Sequence, residues 1–212
     1  MDFIRDTNLI LYLPLYELDG ASIQDRSAYG HLSVVTGALW TPQGRSFDGV
    51  DDQIAIATST VFDIPDTITL EGWINIASVV SMAGFIARST GWELRQSASG
   101  QIIFLPFIDA AWRDGGASSV LSASQWFHIA FTYSSATRQA LTYRDAVLES
   151  SVIFSGLASY TLGTGAASVL LGYDVLNGVV FNGKLGEIRI YNRVLSAVEI
   201  QNNYLATKWR YQ

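Results

Sequence analysis

Few side chains in this sequence could do acid–base or nucleophilic chemistry. There are two histidines, His31 and His128, and no cysteine. His128 sits in the strand-like run Gln125-Trp-Phe-His-Ile-Ala-Phe, where a satisfied structural imidazole is expected rather than a base. The acidic candidates are Glu71, Glu93, Glu187 and the adjacent Asp51 and Asp52. A retaining glycosidase needs two carboxyls about 5–5.5 Å apart. Neighbouring residues of a strand point to opposite faces, so Asp51 and Asp52 are not expected to form such a dyad. Gly178 to Leu185 nearly spells a phosphate-binding loop. It lacks the Ser/Thr that holds Mg²⁺, and its glycines read as part of a hairpin. Neither a Gly-x-Ser-x-Gly elbow nor a His-Glu-x-x-His pair occurs. The expectation is a protein that is not an enzyme.

Binding chemistry is better represented. Pyranose rings present apolar C–H patches bordered by hydroxyls, so they suit an aromatic face beside amides and carboxylates. Trp112, Arg113 and Asp114 join an aromatic, a donor fork and an acceptor just before Gly115-Gly116. Tyr173, Asp174 and Asn177 form a second group of this kind. Both are candidate carbohydrate contacts. Trp73, Trp92 and Trp126 lie within strand-like runs and read as packing residues.

The elements that must position these groups are strands. Apolar runs recur between turn residues throughout the chain, the pattern of a sandwich or jelly roll. Thr67–Ile76, Trp92–Gln96 and Gln125–Tyr133 are the clearest. Pro106 within Gln101–Phe107 argues for an edge or a bend. Asp19-Gly20, Asp48-Gly49 and Ser89–Gly91 break the chain between strands. Near the end, Val179–Phe181, an Asn182-Gly183 turn and Lys184–Tyr191 read as a β-hairpin, because Asn-Gly suits a type I′ turn. Ser196-Ala-Val-Glu199 is a capping-box signature, and Ala197, Ile200 and Tyr204 then share a helical face. The fold class is therefore all-β: an antiparallel β-sandwich with one short C-terminal helix. No composition shift divides residues 1–212, which read as a single domain with an N-terminal arm at 1–7 and a tail at 207–212.

Composition narrows the partners. The 212 residues are 49% hydrophobic and 15% charged, with a net charge of −6, so a globular domain with a weakly charged surface is expected. Nucleic-acid binding needs a basic stripe to neutralise phosphates, and no such run occurs. No stretch approaches the ~18 apolar residues of a membrane span, so no membrane insertion is expected. Asp2 and Asp6 precede the first apolar run and Pro14 follows it, unlike a cleavable signal peptide. In the tail, Trp209, Arg210 and Tyr211 are residue types that favour interfaces. They either pack back on the sheet or dock a neighbouring subunit.

The closing segment FNGKLGEIRIYNRVLSAVEIQNNY resembles the C-terminal signature of laminin-G-like jelly rolls, in the concanavalin A-like lectin/glucanase superfamily. LILYLPL at 9–15, DRSAYGH at 25–31, SFDGVDDQIAI at 46–56, ITLEGWINI at 68–76 and QWFHIAFTY at 125–133 are similar to further family segments, in the expected order. The resemblance implies the jelly-roll fold over nearly the whole chain. The related glucanases carry Glu-x-Asp-x-Glu on one strand, and that motif is missing here. Family members often hold Ca²⁺ through an early Asp-x-Ser-Gly loop and an acidic residue before the last strand. On that basis Asp25, with Ser27 and Gly30 in its loop, and Glu187 are the implied metal residues. The family's second aspartate position is Gly186 here, and Asp25 read without the family suggests an Asx-turn.

Two function classes remain in front. One is a non-catalytic carbohydrate-binding or adhesion module for a glycan or surface polysaccharide. The other is a structural virion component, a capsid decoration or fibre protein, acting through self-association or contacts with capsid and fibre proteins. The ending and the short chain resemble laminin-G-like proteins of phage virions. The implied location is a virion or extracellular surface. A glycosidase comes third.

Overall fold

The computed structural model describes residues 6–18 and 20–212. Two antiparallel sheets face each other. The larger holds β1 (Leu9–Pro14), β3 (Leu39–Thr41), β4 (Gly44–Asp48), β6 (Thr67–Ile76), β11 (Trp126–Ser134), β12 (Gln139–Arg144), β13 (Val147–Ile153) and β15 (Asn182–Tyr191). The smaller holds β2 (Ser33–Thr36), β5 (Gln53–Ile56), β7 (Gly84–Arg88), β8 (Trp92–Gln96), β9 (Ile102–Ile108), β10 (Ala111–Trp112) and β14 (Val169–Leu171). The larger sheet runs β13-β12-β11-β6-β15-β4-β3, with β1 also on β15, and the smaller runs β10-β9-β8-β7-β14-β5-β2. Ser89–Gly91 and Asp48-Gly49 sit at chain reversals, as their residues suggest. The break at Asp19 lies outside the described residues, as do residues 1–5 of the N-terminal arm.

The strand period of two explains the layers. On β6, Ile68, Leu70, Ile74 and Ile76 enter the core between the sheets. The alternate residues Thr69, Glu71 and Trp73 are also buried, so the outer face of this sheet is covered as well. The cover is the helix α1 (Ala197–Thr207) and the turn that follows it. The core itself contains Phe47, Phe85, Trp92, Phe104, Phe131 and Phe181. Each such side chain contributes about 1.5–3 kcal/mol on removal from water.

Several expectations need correction. Asn182-Gly183 is not a turn. Residues Asn182–Tyr191 form one strand, with Asn182 opposite Asp48 and Gly183 opposite both Phe47 and Ile76. Gly183 has φ +155°, and a Cβ there would run into the Asn75 carbonyl oxygen. Glycine is needed for close backbone approach, not for a I′ turn. The reversal falls earlier, around residues 174–178, and one bridge between Tyr173 and Val180 closes it. Pro106 is not on the sheet edge: β9 lies between β8 and the two-residue β10. The capping box at Ser196 and Glu199 is formed. The buried helix face, however, carries Ile200 and Asn203, while Ala197 is exposed.

The C-terminal tail packs back. Tyr211 stacks on Trp73 with centroids 4.4 Å apart, Tyr204 adds a second stacked ring at 5.6 Å, and Trp126 lies 4.8 Å from Tyr211. The Arg210 guanidinium lies over the Tyr16 ring at 3.6 Å. Of the three tail residues, only Trp209 stands clear, at 68% exposure. Trp73 is thus a packing residue, but under the tail rather than between the sheets.

Candidate functional site

The outer face of the larger sheet carries the densest polar cluster. Arg189 on β15 and Glu71 on β6 are register partners. Arg189 Nη1 donates to Glu71 Oε1 at 3.0 Å and Nη2 to Glu187 Oε1 at 2.7 Å. Asn203 of the helix donates to the same Glu71 oxygen at 2.8 Å, and the Tyr12 hydroxyl donates to Glu187 Oε2 at 3.2 Å. Two carboxylates hold the guanidinium charged, well above its ordinary range. Burial pushes the Glu71 carboxyl up, against the pull of Arg189. His128 is fully buried beside them, with Nε2 3.8 Å from Glu71 Oε2. Burial, reinforced by Arg189, lowers its pKa to about 3. The imidazole is neutral and structural, as its strand suggested, but neither ring nitrogen has a hydrogen-bond partner among the described residues. The helix seals this cluster from any substrate.

Glu187 is therefore a structural counter-ion and not a free metal ligand. Asp25 is equally committed. Its Oδ1 accepts from the Tyr12 and Ser27 amides at 2.9 and 2.8 Å, and its Oδ2 from Ser27 Oγ and the His31 amide at 2.7 and 2.9 Å. This is the Asx-type brace, with its acceptor sites taken by protein donors. Asp25 and Glu187 touch opposite ends of Tyr12, its amide and its hydroxyl. A side chain at Gly186 would run into the Tyr211 ring. The implied Ca²⁺ set does not fit these residues. The acidic group that does converge is Asp48, Asp51 and Asp52, whose carboxylate oxygens lie within 4.8 Å of one another. Asp51 and Asp52 meet because they lie in the turn before β5 rather than in a strand. Such oxygens suit a hard cation, but the Asp48 amide already donates to Asp52 at 2.8 Å and the Val50 amide to Asp48 at 2.8 Å.

The two expected carbohydrate groups share the smaller sheet but not one site. Trp112 is half-buried on β10, opposite Phe107 of β9, with the rings edge to face at 5.3 Å. Arg113 turns to the Ile108 carbonyl at 3.4 Å and lies 3.9 Å from Asp109. Beyond Trp112 the chain stays beside β9: Arg113 N donates to Pro106 O at 3.0 Å, Gly115 N to Phe104 O at 2.8 Å, and Ser118 N to Ile102 O at 2.9 Å. Gly116, at φ +100°, lies so close to β13 that a Cβ would meet Ser150 Oγ at 2.6 Å.

A groove of about 610 Å³ results between this edge and β13. Asp114, Gln101, Ser118, Ser119, Glu149 and Ser150 supply its polar lining. Glu149 accepts from the Ser119 amide at 2.7 Å and from Arg144 Nε at 2.9 Å, which ties the two walls together. Asp114 Oδ1 accepts from the Gly116 amide at 2.9 Å, and Oδ2 has no hydrogen bond among the described residues. Carboxylates, an amide and hydroxyls in an open groove can bond the hydroxyls of a sugar, most strongly through the charged acceptors. Gln101 and Glu149 were not visible as partners of Asp114. They reach it only through strand pairing, and the Ser118-Ser119 hydroxyls were the one local signal.

Asp174 is no ligand contact in this state. It is fully buried and accepts from the Leu176 and Asn177 amides, both at 2.7 Å, so it shapes its own loop. Tyr173 is half-buried and Asn177 exposed on that loop.

A laminin-G family model, described as the concanavalin A-like lectin/glucanases superfamily, matches residues 48–201. The chain belongs to this superfamily. No curated protein matches it in sequence. Among solved structures, the binding domain of botulinum neurotoxin serotype G aligns with a TM-score of 0.74 at 17% identity, over 94% of this chain and 51% of that one. The serotype D ligand-binding domain, solved with N-acetylneuraminic acid, aligns with a TM-score of 0.69 at 16% identity, over 94% and 51%. A Trypanosoma rangeli sialidase aligns with a TM-score of 0.72 at 16% identity, over 98% of this chain and 34% of the enzyme. These likenesses establish a shared laminin-G-like jelly roll. The chain spans about half the length of the neurotoxin domains and a third of the sialidase.

Proposed function

We propose that this superfamily member is a non-catalytic carbohydrate-binding module and that the groove between residues 114–119 and β13 receives the glycan. The observation that carries the reading is the polar lining of that groove, with Asp114 Oδ2 unbonded among the described residues and Glu149 bridging its walls. Solved structures of the same fold include a domain in complex with N-acetylneuraminic acid, which supports a saccharide partner. A non-enzymatic role is supported by where the acid-like carboxyls lie: Glu71 and Glu93, both pushed up by burial, are 2% and 0% exposed and cannot reach a glycosidic oxygen.

A glycan-array screen of the purified protein tests this, with and without chelator. Specific hits weakened at least tenfold by Asp114→Ala or Glu149→Ala, and insensitive to chelator, are expected. Loss with Trp112→Ala but not Asp114→Ala would move the site to the outer sheet face. A blank array would overturn the reading.

A second reading is a docking component of a larger assembly, such as a capsid or fibre. One observation favours it: Val198, Leu205 and Trp209 stand exposed on the helical segment, at 64%, 48% and 68%. Sedimentation of the wild type against Trp209→Ser would show self-association through that side.

A further inference from the structure

Donors and acceptors are unequally matched in the groove between residues 114–119 and β13. Many of its donors are spent on its own walls. The Gly116 amide donates to Asp114 Oδ1 at 2.9 Å. The Ser119 amide and hydroxyl donate to Glu149 Oε2 and Oε1 at 2.7 and 2.6 Å. Ser118 Oγ donates to the Ser119 carbonyl at 2.8 Å, and Gln101 Nε2 to the Ser118 carbonyl at 3.1 Å. No Lys or Arg lines the groove among the described residues, so the donors left to a ligand, such as the Ser150 hydroxyl, are neutral.

The acceptors are in surplus, and they are charged. A carboxylate offers about four acceptor places. Asp114 is exposed and gives up one of them, to Gly116. Glu149 Oε1 takes both the Ser119 hydroxyl and Arg144 Nε, at 2.6 and 2.9 Å, while Oε2 keeps a place open beside the Ser119 amide. Arg144 thus balances Glu149. Asp114 has no ion pair among the described residues, and its charge faces the groove uncompensated.

We propose that this groove selects glycans without acidic groups, with Asp114 as the residue that sets the preference. This deepens the glycan-binding reading and rests on it. A sugar hydroxyl donates to Asp114 and gains a charge-assisted bond. A sugar carboxylate or sulfate ester has no proton to give, brings a second negative charge beside Asp114, and meets no cation in the lining. Like charges placed together disfavour the wrong partner. The net charge of −6 offers no long-range attraction in compensation.

Paired glycans test the selectivity. An array carrying neutral oligosaccharides beside their sialylated and sulfated derivatives is screened first. Affinities for one neutral hit and its two acidic derivatives are then measured by calorimetry at physiological ionic strength. The wild type should bind the neutral parent at least tenfold more tightly than either derivative. Asp114→Asn keeps an oxygen for the Gly116 amide and puts a neutral donor in place of the unbonded oxygen, so the preference should narrow at least tenfold. If that variant does not fold, Ala117→Lys sets a cation in the lining and should narrow it likewise.

Acidic derivatives bound as tightly as the parent, with Asp114→Ala still weakening both, would overturn this selectivity and leave the groove as the glycan site. An unchanged preference in Asp114→Asn or Ala117→Lys would also overturn it. A blank array, or hits indifferent to both Asp114→Ala and Glu149→Ala, would remove the glycan groove and this inference with it.

Discussion

The ring of Tyr211 fills the space that any side chain at residue 186 would occupy. A Cβ built on Gly186 meets Tyr211 Cε1 and Oη, both at 2.6 Å. A β-strand glycine and a residue near the chain end thus form one packing unit, with Trp73 stacked on the tyrosine ring.

Gly186→Asp should therefore expel Tyr211 and the tail. The expected cost is about 3–5 kcal/mol, comparable to truncating a buried aromatic. Tyr211→Ala should cost a similar amount alone, and the double variant should be far less than additive in a denaturant-melt cycle. Tyr211→Phe should be neutral or slightly stabilising, because the buried hydroxyl has no partner among the described residues.

The Arg189 cluster makes a sharper demand. Arg189→Met at pH 7 leaves Glu71 and Glu187 buried without their cation, and should cost about 3–5 kcal/mol. The deficit should shrink as pH falls, because the stranded carboxyls can then be protonated. A variant as stable as wild type at pH 7 would show that the cluster tolerates neutral packing.

Added Ca²⁺ should leave the melting temperature unchanged to millimolar concentration if the Asp25 loop is the relevant site. Protein donors already occupy both Asp25 oxygens. Asp25→Ala, in contrast, should destabilise by about 1–3 kcal/mol through orphaned amides. Calorimetric Ca²⁺ binding abolished by Asp25→Ala would contradict this. Binding abolished only by Asp51→Asn would point to the acidic turn.

Acid stability should track the bond between the N-terminal segment and the helix start. Arg193 Nη2 lies 2.8 Å from Glu199 and also reaches Asp6 at 2.6 Å. The Arg193 bond lowers Glu199 to about 2, and Asp6 is lowered too, its bonds to Arg193 and Asn8 outweighing burial. Both bind protons more weakly folded than unfolded, so their contribution is full above the ordinary carboxylate range. It is lost as pH falls through the folded value, about 2 for Glu199. Arg193→Met should flatten this part of a pH–stability curve between pH 5 and 2, measured by urea melts.

The sequence by itself determined most of the strands, the capping box and the family. These rest on local chemistry: alternation written in Thr67–Ile76, and Ser196 three residues before Glu199. It also singled out Asp114 as a polar group beside Gly115-Gly116, which was expected to be a flexible turn but runs alongside β9. What it could not decide depends on which segments meet. Asn182-Gly183 has turn chemistry, yet β4 and β6 flank it on both sides and hold it extended. Asp25 and Glu187 looked like ligands by analogy, but Tyr12 and Arg189 reach them first. Glu149 is 35 residues beyond Asp114 and shares its groove only because β13 lies along the sandwich edge. Local preference is set by a residue and its near neighbours. The charge state and reach of a side chain are set by groups that only long-range strand pairing brings within a few ångströms.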